Sequence, residues 1–383
     1  MGNKFEQIRK KFPVTEQFTY LNNAAVAPSP PFVVEQARQI LDGYSSHGGE
    51  LEGHWHSRIA DIRGILAELV GAGSHEIFFT KNTSEGLTFA TQGYPWKAGD
   101  NAVSLRGEFP AVTVPLHLLG ARGVELRIVE PGPDNTFNLD DILAAIDSRT
   151  RMLMVSFVEF HTGARNDLAA LGAICRERGI FFAVDGVQGV GALACRVKEW
   201  NADLVSVGGH KWMMAGEGVG FCYINPDKLD TLNPVGASWL SVTNPLEFLT
   251  GGGDPAPFAK PLADDARRFE GGTLNIAGIH ALGKSAETML DLGPEKIETH
   301  ILELGKVLVE RLVSSGYKVV SPQSDFTRSG ITCFKPRNED AIRLLKRLRG
   351  KKFCLGFPCG AIRVSPHYYN NKEDIERLLA ALD

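Results

Sequence analysis

Long apolar runs are missing from this chain. None approaches the roughly eighteen residues that a membrane-spanning helix needs, so no membrane partner is expected. The longest mostly apolar stretch, IFFAVDGVQGVGAL, is interrupted by Asp185 and Gln188 and reads as buried strand. The N-terminal MGNKFEQIRKKFPV is basic and has no apolar core, which argues against a secretory signal. Glu6 stands where a myristoylation site wants Ser or Thr. A cytoplasmic protein is therefore expected. Cysteine is scarce: Cys175, Cys195, Cys222, Cys333, Cys354 and Cys359 form no C-x-x-C pair and no disulfide-like spacing. Reduced thiols, most of them in the core, are the expectation, with no metal site. An excess of one charge is also lacking. Forty-one basic residues against forty-five acidic ones leave a net charge of -4, which argues against nucleic acid as the main partner. Neither G-x-G-x-x-G after a first strand nor G-x-x-x-x-G-K-[ST] occurs, which disfavours a nucleotide-binding enzyme.

What is present is 383 residues of ordinary globular composition, enough for one large and one small domain. Through the first two thirds, short apolar runs alternate with helical patterns. HEIFFT (75–80), NAVSLRG (101–107), VELRIVEP (124–131), RMLMVSFVEF (151–160), IFFAVDG (180–186), DLVSVGG (203–209) and GVGFCYI (218–224) read as strands. This alternation predicts an α/β fold with a doubly wound, mainly parallel sheet covered by helices on both faces. Long amphipathic patterns then take over, with short strands YKVVSP, GITCFKP and GAIRVSP between them. They predict a smaller C-terminal α+β domain. The expected division is an N-terminal arm (1–15) packing on the small domain, a large domain (16–283) and a small domain (284–383). A Gly/Pro-rich stretch, roughly 236–265, carries few periodic signals; a loop of that length is often functional.

Three short segments carry chemistry together. His210-Lys211-Trp212 follows the buried strand DLVSVGG. Burial lowers a lysine's pKa, which suits an amine that forms an imine. Asp185 ends the strand IFFAV, at the carboxyl end where α/β sheets bind ligands. Such a carboxylate can keep the pyridine nitrogen of pyridoxal phosphate (PLP) protonated, and Gln188 can donate to its O3′. TKNTSEGL (80–87) follows a strand and opens a helix, so Thr83, Ser84 and free backbone N–H groups form a natural phosphate site. Each piece alone also reads as ordinary structure: a turn lysine, an aspartate capping a turn, and Thr83 or Ser84 capping a helix. Their order is the informative part, with His-Lys arriving 26 residues after the aspartate.

In that order the segments resemble the fold-type I PLP enzymes of the class-V aminotransferase family, which includes cysteine desulfurases, selenocysteine lyases, kynureninases and isopenicillin N epimerases. The resemblance runs from YLNNAAVAP (20–28) to IRVSPHYYNNKEDIERLL (362–379). It implies PLP as cofactor, an amino acid as substrate and Lys211 as the Schiff-base lysine. It makes His210 a neighbour of the phosphate or ring, Asp185 the partner of the pyridine nitrogen and Gln188 that of O3′, with Thr83 and Ser84 on the phosphate. RFEGGTLN (268–275) resembles the segment that reaches the other subunit's site, which implies a homodimer with Thr273 on the partner's phosphate. Arg363 resembles the arginine that clamps the substrate carboxylate, a task suited to a planar fork. Asn22, Asn23 and the Trp239 region are expected on the substrate side, and Glu159 or His161 near O3′. Turn capping and core packing account equally well for these last residues.

Two departures shape the expected reaction. Desulfurases stack a histidine on the ring, whereas GEFPAV (107–112) puts Phe109 there, nearer the epimerase-like branch. Gly208-Gly209-His210-Lys211 also loses a phosphate hydroxyl that many desulfurases have. FCLGFPCGAIRV sets Cys354 and Cys359 only nine and four residues before Arg363, too short a segment for a swinging thiol. The expectation is a desulfurase-like or selenocysteine lyase-like C–S or C–Se lyase without a cysteine persulfide step. A transaminase, an isopenicillin N epimerase-like enzyme and, more distantly, a catalytically silent binding protein are the alternatives.

Overall fold

Strands that are apolar on both faces need cover on both faces. The computed structural model, which describes residues 4–247, 260–337 and 339–382, supplies it. Along the chain run β1 (Thr19–Tyr20), β2 (Ile77–Thr80), β3 (Asn101–Leu105), β4 (Glu125–Val129), β5 (Thr150–Ser156), β6 (Phe181–Asp185), β7 (Leu204–Gly208), β8 (Gly220–Ile224), β9 (Lys318–Val319), β10 (Thr332–Lys335), β11 (Phe353–Cys354) and β12 (Ile362–Val364). Among the described residues, seven form the main sheet in the order β2-β8-β7-β6-β5-β3-β4. Its pairs are parallel from β7 to β4, and β8 runs antiparallel to both neighbours. The mainly parallel α/β sheet is thus as expected.

Period-two alternation sorts each strand's side chains into two cores. Phe182 and Val184 join Ile59, Leu66, Phe79 and Leu282 on one face. Phe181 and Ala183 join Phe78, Leu87, Phe89 and Met154 on the other. Helices Glu52–Val70, Leu168–Arg178 and Ile276–Leu292 contribute to the first core; Thr83–Gly93 and Pro110–Leu118 contribute to the second. Each fully buried Phe or Leu stabilises the fold by about 1.5–3 kcal/mol relative to exposure.

The sheet β12-β10-β9 forms a third core with Leu304, Leu308, Leu344, Ile375 and Leu378. Two boundaries differ from the sequence reading. Residue 284 lies inside the unbroken helix Ile276–Leu292, whose Leu282, Ala286 and Met289 are packed in the first core. The helix ends at Gly293 (φ 89°) just before Pro294, the true stop signal. At the other end, β1 pairs in parallel with β11, so residues 19–20 join the C-terminal unit. The arm meets that unit through Arg9, which pairs with Asp374 at 2.7 Å. Part of the 236–265 stretch, residues 248–259, lies outside the described residues.

A buried ion pair fixes the segment that follows this stretch. Arg63 donates to Glu270 at 2.6 Å, and the same carboxylate oxygen accepts the Phe79 N–H at 2.8 Å. Both side chains are buried, 8% and 5% exposed. Glu270→Ala leaves the Arg63 guanidinium buried without its partner, a loss of about 3–5 kcal/mol for such pairs. Urea unfolding measures it; an unchanged midpoint would show that the pair does not hold the segment.

Candidate active site

The carboxyl ends of β3, β5, β6 and β7 lie side by side, where open α/β sheets bind ligands. Asp185 is the last residue of β6, and its carboxylate accepts the Val187 N–H at 2.9 Å. Lys211 lies three residues beyond the end of β7. Burial pulls the Lys211 ammonium down to about 8, against the opposing pull of Asp185 and with a further push from Arg363. Burial raises Asp185 in turn, opposed by the Val187 N–H and by Lys211. The structure therefore brings Lys211, Asp185 and Arg363 into one field. Phe109 joins them: the Lys211 Nζ sits 5.4 Å from its ring centroid. The ring is 44% exposed, and Phe160 meets it edge-on at 5.2 Å.

Arg363 is buried on β12 and donates from Nη1 to the Phe160 carbonyl at 2.9 Å, while its Nε has no partner. Gly356 is required opposite it. A Cβ there would stand 2.9 Å from Arg363 Nε and 2.9 Å from Asn22 Oδ1, itself buried and unpartnered. A planar donor with an open edge suits a carboxylate. Asn23 does something else. Its amide donates to the Ser365 carbonyl at 2.8 Å and accepts the Tyr369 hydroxyl at 3.1 Å, so it ties chain segments together. Of the two asparagines, Asn22 is the one with an oxygen free.

At the end of β2, helix Thr83–Gly93 opens with Asn82, not Thr83 or Ser84, as the cap; Asn82 accepts the Glu85 N–H at 2.9 Å. Thr83 is left with a buried, unpartnered Oγ1, and Ser84 is exposed in the first turn. A Cβ on Gly208 would stand 2.9 Å from Thr83 Oγ1 and 3.2 Å from His210 Nδ1, so glycine keeps a cradle open between them. A helix N-terminus, a free hydroxyl and an imidazole suit a phosphate. With a buried carboxylate at Asp185 and a depressed amine at Lys211, the residues present fit PLP. Gln188 is partly committed: its Nε2 donates to the Ala24 carbonyl at 3.0 Å and its Oε1 accepts from Trp212 at 2.9 Å. Thr273 is exposed and lines a cavity of about 580 Å³ with Thr80, Glu85 and Gly218, apart from the Lys211 group. Trp239 is also exposed.

Sequence reading missed Glu108. It is 6% exposed and accepts the Ser156 N–H at 2.6 Å as well as the Ser156 hydroxyl. Glu159 is fully buried; one oxygen accepts from Asn166 at 3.0 Å and the other has no partner. Burial raises both, Glu108 to about 8, and each is raised further by neighbouring carboxyls, Glu159 by Glu108 and both by Asp185. Only the residue type could have flagged Glu108, beside the already notable Phe109.

For a carboxyl whose folded pKa exceeds its unfolded value of about 4.3, the stabilising protonated form is lost as pH rises. The window for Glu108 runs from there to about 8. Glu108→Gln cannot ionise, so its melting temperature should gain on the parent protein between pH 5 and pH 8. A difference that stays constant with pH would contradict this assignment.

Among the described residues, no cluster of three or more His, Cys, Asp or Glu is arranged to hold a metal ion, and no helix is long and apolar enough to cross a membrane. The family model described as aminotransferase class-V matches residues 19–378. A probable cysteine desulfurase of Methanothermobacter thermautotrophicus is 28% identical over 99% of this chain and 97% of its own length. The apo structure of a cysteine desulfurase from Thermococcus onnurineus is 26% identical with a TM-score of 0.88, covering 98% of this chain and 96% of that one. A cystine C–S lyase solved with its product cysteine persulfide shares the fold at a TM-score of 0.88 and 24% identity, covering 97% and 98%.

Proposed function

The chain belongs to the class-V aminotransferase family of PLP-dependent enzymes, and from that premise we propose a C–S or C–Se lyase acting on an amino acid through a Lys211 Schiff base. The observation that carries it is a Lys211 lowered to about 8 by burial, in the field of Asp185 and of an Arg363 whose Nε is unpartnered. Bound there, PLP supplies the electron sink that makes an amino acid's α-proton removable and a β-substituent expellable.

The chain's own residues do the rest. Arg363 binds the substrate carboxylate and fixes the Cα–H bond toward the lysine. Lys211 takes the α-proton on Nζ, and a pKa of about 8 leaves an appreciable unprotonated fraction near neutral pH. Asp185 holds the proton on the pyridine nitrogen. Thr83 and His210 hold the phosphate, with Ser84 at the same helix turn, and Gln188 has one amide hydrogen left for O3′. Phe109, its ring 5.4 Å from the Lys211 Nζ, would stack against the cofactor ring. A homodimer with Thr273 at the partner's phosphate completes the reading; its exposure and cavity position support that role.

The absence of a persulfide step is supported by the two candidate thiols. Cys354 sits in β11, paired with Tyr20, and burial raises its thiol pKa against the opposing pull of Arg349. Cys359 is exposed in a tight turn at φ 50°. Neither is on a long free loop. The cystine C–S lyase of the same fold is solved in complex with its reaction product, cysteine persulfide, an outcome that needs only elimination from the substrate. Transamination and epimerisation share every step up to proton removal, so what separates the three is whether a β-substituent then leaves.

Two variants and one substrate panel test this. Lys211→Ala should lose both turnover and the visible absorption band of the PLP-loaded protein. The double variant Cys354→Ala/Cys359→Ala should keep the parent rate of sulfide or selenide release. Cysteine, cystine and selenocysteine are assayed for keto acid together with sulfide, cysteine persulfide and selenide respectively. Loss of release in the double variant would restore a persulfide step, and α-hydrogen exchange without release would favour epimerisation.

A further inference from the structure

A chain of buried hydrogen bonds joins the residue after Lys211 to the segment that carries Arg363. The Tyr368 N–H donates to His367 Nδ1 at 2.7 Å. That nitrogen therefore carries no proton, and His367 Nε2–H donates to the Trp212 carbonyl at 2.8 Å. Trp212 Nε1 donates to Gln188 Oε1 at 2.9 Å, and Gln188 Nε2 donates to the Ala24 carbonyl at 3.0 Å. His367 and Trp212 are fully buried. The imidazole is neutral, its pKa pulled down to about 3 by burial.

Both ends of this connection are constrained. Past β12, Ser365 N–H donates to the Leu21 carbonyl at 2.8 Å, its carbonyl accepts from Asn23, and its hydroxyl accepts the Ala24 N–H at 3.0 Å. His367 N–H donates to Asn370 Oδ1 at 2.8 Å. The five residues from Arg363 to His367 are thus pinned as one piece. On the other side, the lysine turn closes through Met214 N–H to the Lys211 carbonyl at 2.9 Å. Met214 adopts φ 52°, a conformation that costs a non-glycine residue energy and persists only under outside restraint. The Trp212 carbonyl, inside that turn, is where His367 grips.

We propose that His367 is a positioning residue that sets the separation between Lys211 and Arg363, and so the span an amino acid must bridge from α-carbon to carboxylate. The meaning given to Arg363 rests on the lyase reading above; the grip on the lysine turn does not. A single short segment carries both the carboxylate clamp and the lysine's restraint. A shift of the small sheet therefore moves the two together and preserves their spacing.

The test compares His367→Gln with His367→Asn in the full-length chain. Both side chains are uncharged, as the imidazole is. The Gln amide reaches the Trp212 carbonyl from the same backbone position and the shorter Asn amide does not. The first readout is the pH dependence of Lys211 acylation by acetic anhydride, followed by mass spectrometry without PLP. Lys211 titrates there in the field of Asp185, Arg363 and His210. His367→Gln should keep the parent midpoint near 8. His367→Asn should move it up by about one pH unit toward the ordinary lysine value of ~10.4, as the loosened turn admits water. With PLP loaded, His367→Asn should lower kcat by about 100-fold, the loss expected for ~1 Å of misplacement, and His367→Gln should restore most of it.

Equal midpoints in all three proteins overturn the proposal. So does a shift shared equally by Gln and Asn, which would assign the effect to packing alone. If His367→Asn does not fold, the Gln variant decides: a parent-like midpoint supports the grip and a displaced one overturns it. A protein that gains no visible band with PLP would remove the lyase reading, and the acylation midpoints would still report on His367.

Discussion

Burying the ammonium of Lys211 is the constraint from which the site's other features follow. A charge withdrawn from water must be neutralised, paired or hydrogen-bonded. Here Asp185 supplies a counter-charge, while Arg363 and the surrounding apolar groups push the other way. The result is an amine able to release its proton near neutral pH, placed beyond a sheet whose strands are apolar on both faces. Phe181 and Phe182 fill opposite cores one residue apart, and the same strand ends at Asp185.

The same reasoning accounts for the carboxyls behind Asp185. Glu108 and Glu159 cannot both ionise cheaply beside it in a buried setting, and each is raised above its ordinary range. Ser156 and Asn166 hold the pair in place: Ser156 donates to Glu108, and Asn166 donates to both the Ser156 carbonyl and Glu159. Behind the lysine, His367 and Trp212 extend the polar framework into the small sheet. From His367 it continues through Asn370 to Asp374 and the Arg9 of the N-terminal arm. Segments from both ends of the chain therefore meet within a few hydrogen bonds of the reactive amine.

Much of this was legible in the residues. The seven strands announce themselves as short apolar runs; one ends in the buried Asp185 and another leads into the half-buried His210-Lys211 pair. What was not legible depends on contacts between distant segments. Asn22 and Asn23 are indistinguishable in sequence; only Ser365 and Tyr369, hundreds of residues away, take up Asn23 and leave Asn22 free. His367 is one more polar residue in a strand-end segment until Trp212 is found against it. The division near 283 failed for a different reason. The amphipathic pattern does not change there, and Gly293-Pro294, which does end the helix, lies in plain sight ten residues on.

The central claim is that this buried amine, and no other, carries the cofactor. Incubating the chain with PLP, reducing with borohydride and mapping the peptides tests it directly. The account predicts a single stable pyridoxyl adduct, on Lys211. An adduct on a different lysine, or no adduct at a concentration that saturates the visible band, would contradict it.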